Sequence, residues 1–246
     1  MGKPGPMSTH TIATFSTNDE VLTHGFDFRP TWWQPRVDES WGPFLGDLPV
    51  ATGGRDYHRI ARQDLLTANH EGTPRANGRL LLACYVWGTG TSAWLVGRRA
   101  RVFLDTPAEI LGDRLTAARR ILDHEGPTAA YEALHDGGPY RSKYLRSSFF
   151  TKFLYAADAP GDGSHGRALI LDRFVAIALN DLHGWGLEEQ GGWSPENYVR
   201  WLDLAHERAR SESERRGAAV RADAVEMAYF WHGQHVYRDR RVARGD

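Results

Sequence analysis

The sequence predicts an all-α, mostly helical fold, and three observations carry that expectation. Apolar residues recur at three- and four-residue steps through most of the chain after Arg55. Capping and stopping residues punctuate those runs, and strand-like alternation is scarce. With 246 residues, 41% hydrophobic and 25% charged, the composition is that of a globular protein able to bury a core and carry a cleft. No repeat of solenoid period is present, so one domain is expected. Residues 1–54, rich in Pro, Gly and Trp, read as an irregular segment whose aromatics pack on the core. Residues 55–246 read as the helical domain.

In chain order, Tyr57, Ile60, Ala61, Leu65 and Leu66 keep a helical spacing. "GRLLLACYVWGTGT" reads as a short buried helix stopped by Gly88 and Gly90. "RVFLDT" is the best strand candidate. Thr106 before Pro107 is a helix opening, followed by Ile110, Leu111, Leu115, Ala118, Ile121 and Leu122 on one side and ended by Gly126-Pro127. A further helix is expected over Thr128 to His135, with "DGGPY" breaking the chain after it. "SSFFTKFLYAAD" and "LILDRFVAIALNDL" are helical patterns separated by the Gly/Asp loop "DAPGDGSHGR". Ser194 before Pro195 and Asp223 before Val225 are expected to cap the last two helices.

Formal net charge is -1 with a pI near 6.8, so any polyanion must be met by a local patch rather than a global field. Arg141, Lys143, Arg146 and Lys152 fall in a stretch without carboxylates, and Arg98, Arg99 and Arg101 cluster earlier. The plain alternative for both groups is a solvated helix face. Cys84 is the only cysteine, which excludes an internal disulfide, a four-cysteine iron-sulfur cluster and a cysteine-built zinc site. His206-Glu207 and His232-His235 lack zinc spacing, and no metal or other cofactor is expected. There is no Walker phosphate loop or Gly-x-Ser-x-Gly elbow, and "GTGTS" reads as a helix stop. "MGKPGPMSTHT" lacks the apolar core of a signal peptide and no run is long enough to span a bilayer, so a cytoplasmic protein without a membrane partner is expected.

Lys152 is the one cation in an apolar run from Phe149 to Ala157. Its stem can snorkel to water. Alternatively, a partly desolvated amine near a helix N-terminus has its charged form disfavoured by burial and dipole, which raises its nucleophilic fraction for attack on a carbon carrying a leaving group. Asp172, twenty residues on, is placed as a helix N-cap. A carboxylate pinned there and facing a lysine across a cleft can stabilise a developing cationic sugar or move protons.

"FFTKFLYAAD", "LILDRFVAIAL", the upstream "WGTGTSAWLVGRRARV" and the terminal "VEMAYFWHG", spread over roughly residues 80 to 232, resemble the bacterial branch of the 8-oxoguanine DNA glycosylase fold in the helix-hairpin-helix DNA glycosylase superfamily. The resemblance implies a glycosylase-like domain over 55–246 with its cleft between helical subdomains, while the chain is too short and too poor in strands for the extra N-terminal β-domain of eukaryotic relatives. It also implies Lys152 as the amine attacking the sugar carbon of a flipped nucleotide in double-stranded DNA, and Asp172 as its supporting carboxylate. No obligatory protein partner is implied by it.

Departures are visible. The Gly-hydrophobic-Gly hairpin of typical relatives is replaced by "YLRSSFF", so Arg146, Ser147 and Ser148 are expected to hold the phosphate, beside Arg141 and Lys143. Phe174 stands where eukaryotic relatives carry a phosphate-contacting histidine. Phe230 and Trp231 are base-pocket candidates, with His232 and Gln234 as possible hydrogen-bonding neighbours, and small Ala156, one turn after the lysine, suggests a roomy pocket. Removal of a bulky hypermodified base such as glucosylated hydroxymethylcytosine, in defence against phage, is one expectation. An 8-oxoguanine glycosylase with AP lyase activity is the alternative, and a non-catalytic helical DNA-binding protein is a reading of another class.

Overall fold

The structure, a computed structural model, describes residues 12, 15–54, 56–67, 71–158 and 167–245. Residues 1–11, on which the signal-peptide expectation falls, and most of the Gly/Asp loop (159–166) lie outside them. Helix α1 (Asn18–Thr23) opens on a capping box in which Thr17 and Glu20 satisfy each other's backbone N–H groups. Strand β1 (Gly25–Phe28) and the one-turn helix α2 (Pro30–Trp33) follow. β1 pairs antiparallel with β2 (His58–Ala61), Gly25 opposite Ala61 and Phe28 opposite His58, to form a two-stranded sheet. Beyond them the chain is helical: α3 (Arg62–Thr67), α4 (Pro74–Thr89), α5 (Ala93–Arg99), α6 (Arg101–Leu104), α7 (Ala108–Glu125), α8 (Pro127–Leu134), α9 (Ser147–Ala157), α10 (Arg173–His183), α11 (Pro195–Arg216) and α12 (Ala222–Arg244). The mostly helical expectation is met.

Helix α4 is the central post. Thr73 caps it by accepting from the Ala76 N–H, Pro74 occupies its first turn, and Leu80 to Val86 are buried all round. A helix apolar on every face must be wrapped by others. Here α7 and α9 pack on it, with α8 against both of these. Further along the chain α10 lies against α12 so closely that a Cβ on Gly233 would collide with the Phe174 carbonyl oxygen. Phe28, Trp33 and Trp41 from the N-terminal segment are buried in the main core, as their aromatic character suggested.

Several local expectations are corrected. Residues 18–33 are not irregular but form α1, β1 and α2. The 57–61 spacing belongs to a strand, because residues 58–61 find a partner in 25–28. In "RVFLDT" Val102 and Phe103 are adjacent and both buried, which a strand cannot arrange against one core, and the segment is α6. Gly88 lies within α4, and the stop is Gly90, whose φ of 60° suits glycine. The N-cap of α7 is Pro107 rather than Thr106. Asp223 does not cap α12 but is drawn inward by Tyr155 and Arg221. Ser194 and Asp172 are caps as expected, each accepting from backbone N–H groups. Among the described residues no helix is long and apolar enough to cross a membrane.

Candidate active site

Lys152 rises from the middle of α9 into a region where its side chain is only 6% exposed. Its stem fits because position 88 on α4 carries no side chain: a Cβ there would stand 3.1 Å from Lys152 Cε and 3.0 Å from the Phe149 ring. The ammonium donates to the Ser148 carbonyl at 3.1 Å and to Asp172 Oδ2 at 2.9 Å, with the rings of Trp87 and Phe149 5.9 and 5.8 Å away. Buried cations survive only when paired, so this ion pair fixes where the amine points. The lysine does not escape to water.

Asp172 is held from both sides. Oδ1 accepts from the Phe174 and Val175 N–H groups at the start of α10, leaving Oδ2 for the lysine. The helix N-terminus favours its negative charge. The preceding Ala168–Leu171 is fully buried and lies in neither helix nor sheet, so its backbone groups need side-chain partners. Tyr198 donates to the Leu169 carbonyl at 3.0 Å and Trp201 to that of Ile170 at 3.0 Å. Thr151, the residue before the lysine, accepts from the Leu171 N–H at 3.3 Å, while Asp158 accepts from the Ala168 N–H at 2.6 Å. Thr151 thus ties α9 directly to the segment that delivers the aspartate.

A second layer of buried charge backs the pair. Arg62 and Glu226 meet at 2.6 Å, both 1% exposed, and Tyr155 donates to Asp223 at 2.7 Å. Burial pushes the Glu226 carboxyl above its usual range, with Arg62 opposing. Burial lowers Arg99 below the usual guanidinium value, against the fields of Tyr85 and Asp172, and its Nη1 donates to the Gly88 carbonyl at 2.7 Å. The Cys84 thiol is pushed up to about 12 by burial, which keeps it neutral and unreactive beside the lysine.

The expected DNA contacts are sorted by the structure. Lys143 and Arg146 are exposed in the turn before α9, and Arg141 is exposed but ion-paired with Asp136 at 2.6 Å. Arg101 stacks on Tyr144 at 4.1 Å and Lys143 lies 5.0 Å from the same ring, so the two basic clusters of the sequence adjoin. Ser148 is half-buried, and it is its carbonyl that holds Lys152. Ser147 is a correction: it is buried, its carbonyl takes the Thr151 hydroxyl and its hydroxyl lies at Tyr131, which removes it from any phosphate surface.

Ala156 is a second correction. It is fully buried in the main core and lines no open site, because nine of the eleven residues of α9 are buried and helical phase does not separate pocket from core. Phe230 and Trp231 are half-buried and turn their rings toward His24, 5.8 and 5.4 Å away. His232 is bound to Asp181 at 2.9 Å and Gln234 accepts from Arg238. Phe174 packs edge-on against Phe230. His24, Arg62 and Glu226 had no signal in the sequence: their partners are brought in from far along the chain.

Residues 19–230 match the sequence family described as "Putative 8-oxoguanine DNA glycosylase OGG-like protein", and the chain belongs to that family. No curated protein and no solved structure matches it.

Proposed function

We propose that the protein excises a modified base from double-stranded DNA, with Lys152 as nucleophile and Asp172 as its supporting carboxylate. The observation that carries this reading is the 2.9 Å contact between a buried ammonium on α9 and the half-buried carboxylate that caps α10. In the reaction the ammonium passes a proton to the departing base and the freed amine bonds to the sugar C1′. The electron pair of the C1′–N bond leaves with the base. Asp172 stabilises positive charge building on the sugar. The C1′–O4′ bond then breaks, O4′ taking a proton from the attached nitrogen, to leave an imine to Nζ; loss of a C2′ proton to a base with departure of the 3′ phosphate is the AP lyase step this reading includes. Lys143, Arg146 and Arg101 supply phosphate contacts that position the duplex.

Extrusion of the nucleotide is required, since a duplex hides C1′. For the base itself, Ala156 no longer supports a roomy pocket, and the glycine-free hairpin remains as the argument for a bulky hypermodified pyrimidine of phage DNA against oxidised guanine. Base release from glucosylated phage DNA and from an 8-oxoguanine duplex, each with borohydride present, decides both points. The wild type is expected to leave a covalent protein-DNA adduct on one substrate and Lys152→Gln none. An adduct of equal yield with Lys152→Gln, or salt-dependent binding without any base release, refutes the reading, the second outcome in favour of a non-catalytic DNA-binding protein.

A further inference from the structure

His24 stands at the junction of α1 and β1, and nothing in the chemistry above uses it. Its carbonyl is pinned twice, accepting from the Arg62 N–H at 2.9 Å and from Trp87 Nε1 at 3.0 Å. Its ring meets Phe26, Trp87, Phe230 and Trp231 edge-on, with centroids 5.1 to 5.8 Å away. Both ring nitrogens are shielded from solvent and neither has a hydrogen-bond partner. A buried polar atom left unpaired is costly, so a phenyl ring would fill this cage at lower cost. The cost is recovered if a partner arrives in the working complex.

The cage is continuous with the site. Trp87 is its inner wall and lies under the Lys152 ammonium, while the half-buried Phe26, Phe230 and Trp231 form its outer side. Burial and the fields of Arg62, Arg59 and Lys152 lower His24 to about 4, so it is neutral at working pH and offers one N–H donor and one acceptor. Aromatic faces with a single polar reader are what an extruded base needs for stacking and for recognition of its edge.

We propose that His24 is a specificity-determining residue whose ring nitrogen hydrogen-bonds the edge of the extruded base, while the surrounding rings provide its stacking surface. The proposal rests on the glycosylase reading of Lys152. Phe230 and Trp231 then serve the pocket through His24, on the wall away from the lysine.

The test separates reading the base from attacking the sugar. Wild type, His24→Phe and His24→Gln are compared in single-turnover base release on the substrate the wild type cleaves, and in borohydride trapping on an abasic duplex, where no base remains to be read. His24→Phe is expected to lose at least tenfold in base release, to trap the abasic duplex within twofold of wild type, and to unfold at no lower temperature; His24→Gln recovers part of the release. Full base release by His24→Phe, or parallel loss of release and trapping, overturns the proposal. A wild type that neither releases base nor traps abasic DNA instead overturns the reading of Lys152 and this proposal with it. Should His24→Phe not fold, ring-nitrogen NMR of wild type decides: a shift of His24 with a duplex holding a non-cleavable 2′-fluoro nucleotide, absent with an abasic duplex, supports the contact, and its absence from both refutes it.

Discussion

Replacing Asp172 by Asn isolates the ion pair. An asparagine caps a helix about as well as an aspartate, so the bonds from Phe174 and Val175 can be kept while the charge opposite Lys152 is lost. The ammonium is then left 6% exposed with the Ser148 carbonyl and two ring faces. Breaking a buried pair by removing one partner costs about 3–5 kcal/mol. Asp172→Asn should lose stability on that scale at pH 7. Lys152→Met should cost less, since the stranded carboxylate keeps two N–H donors and a helix N-terminus. The double variant should recover to within about 1 kcal/mol of wild type, showing strong coupling. Urea unfolding of the four proteins at pH 7 measures this. A loss below about 1 kcal/mol for Asp172→Asn would mean that water reaches the pair, and the argument from burial would be wrong.

Three other perturbations test the same geometry. Gly88→Ala presses on the lysine stem and the Phe149 ring, which can give way. The melting temperature should hold while excision falls several-fold, short of the roughly hundredfold effect of a 1 Å misplacement. Gly233→Ala meets a backbone carbonyl instead, so at least about 3 kcal/mol should be lost, or roughly 6–12 °C in thermal unfolding. His24 has its folded value lowered to about 4 from 6.5. Between those values the unfolded chain takes up a proton that the folded protein refuses, so stability present above pH 6.5 is lost as pH falls through 4, by at most about 3 kcal/mol for a partly exposed ring. In His24→Phe that slope should be missing from the pH dependence of unfolding.

The long helices and the lysine-aspartate pair were legible because their signals are local. Apolar spacing marks α4, α7 and α10 to α12, and Ser194 and Asp172 advertise caps through their residue type and the helical pattern after each. The strand at 58–61 was not legible, since its spacing fits a helix equally and the deciding partner lies at 25–28. The misplaced cap at Asp223 has a tertiary cause, a buried tyrosine hydroxyl and an arginine outbidding the helix end. Ala156 misled because α9 is buried on nearly every face, and His24 was silent because its cage is gathered from positions 26, 87, 230 and 231.

The segment leading to Asp172 owes its path to tyrosine and tryptophan side chains of α11, and α10 owes its seat to the glycine notch in α12. Synthesis on the ribosome runs from the other end. A nascent chain that has already exposed its lysine still lacks the clamps that aim the acid at it, so a truncated or half-made polypeptide carries no assembled centre.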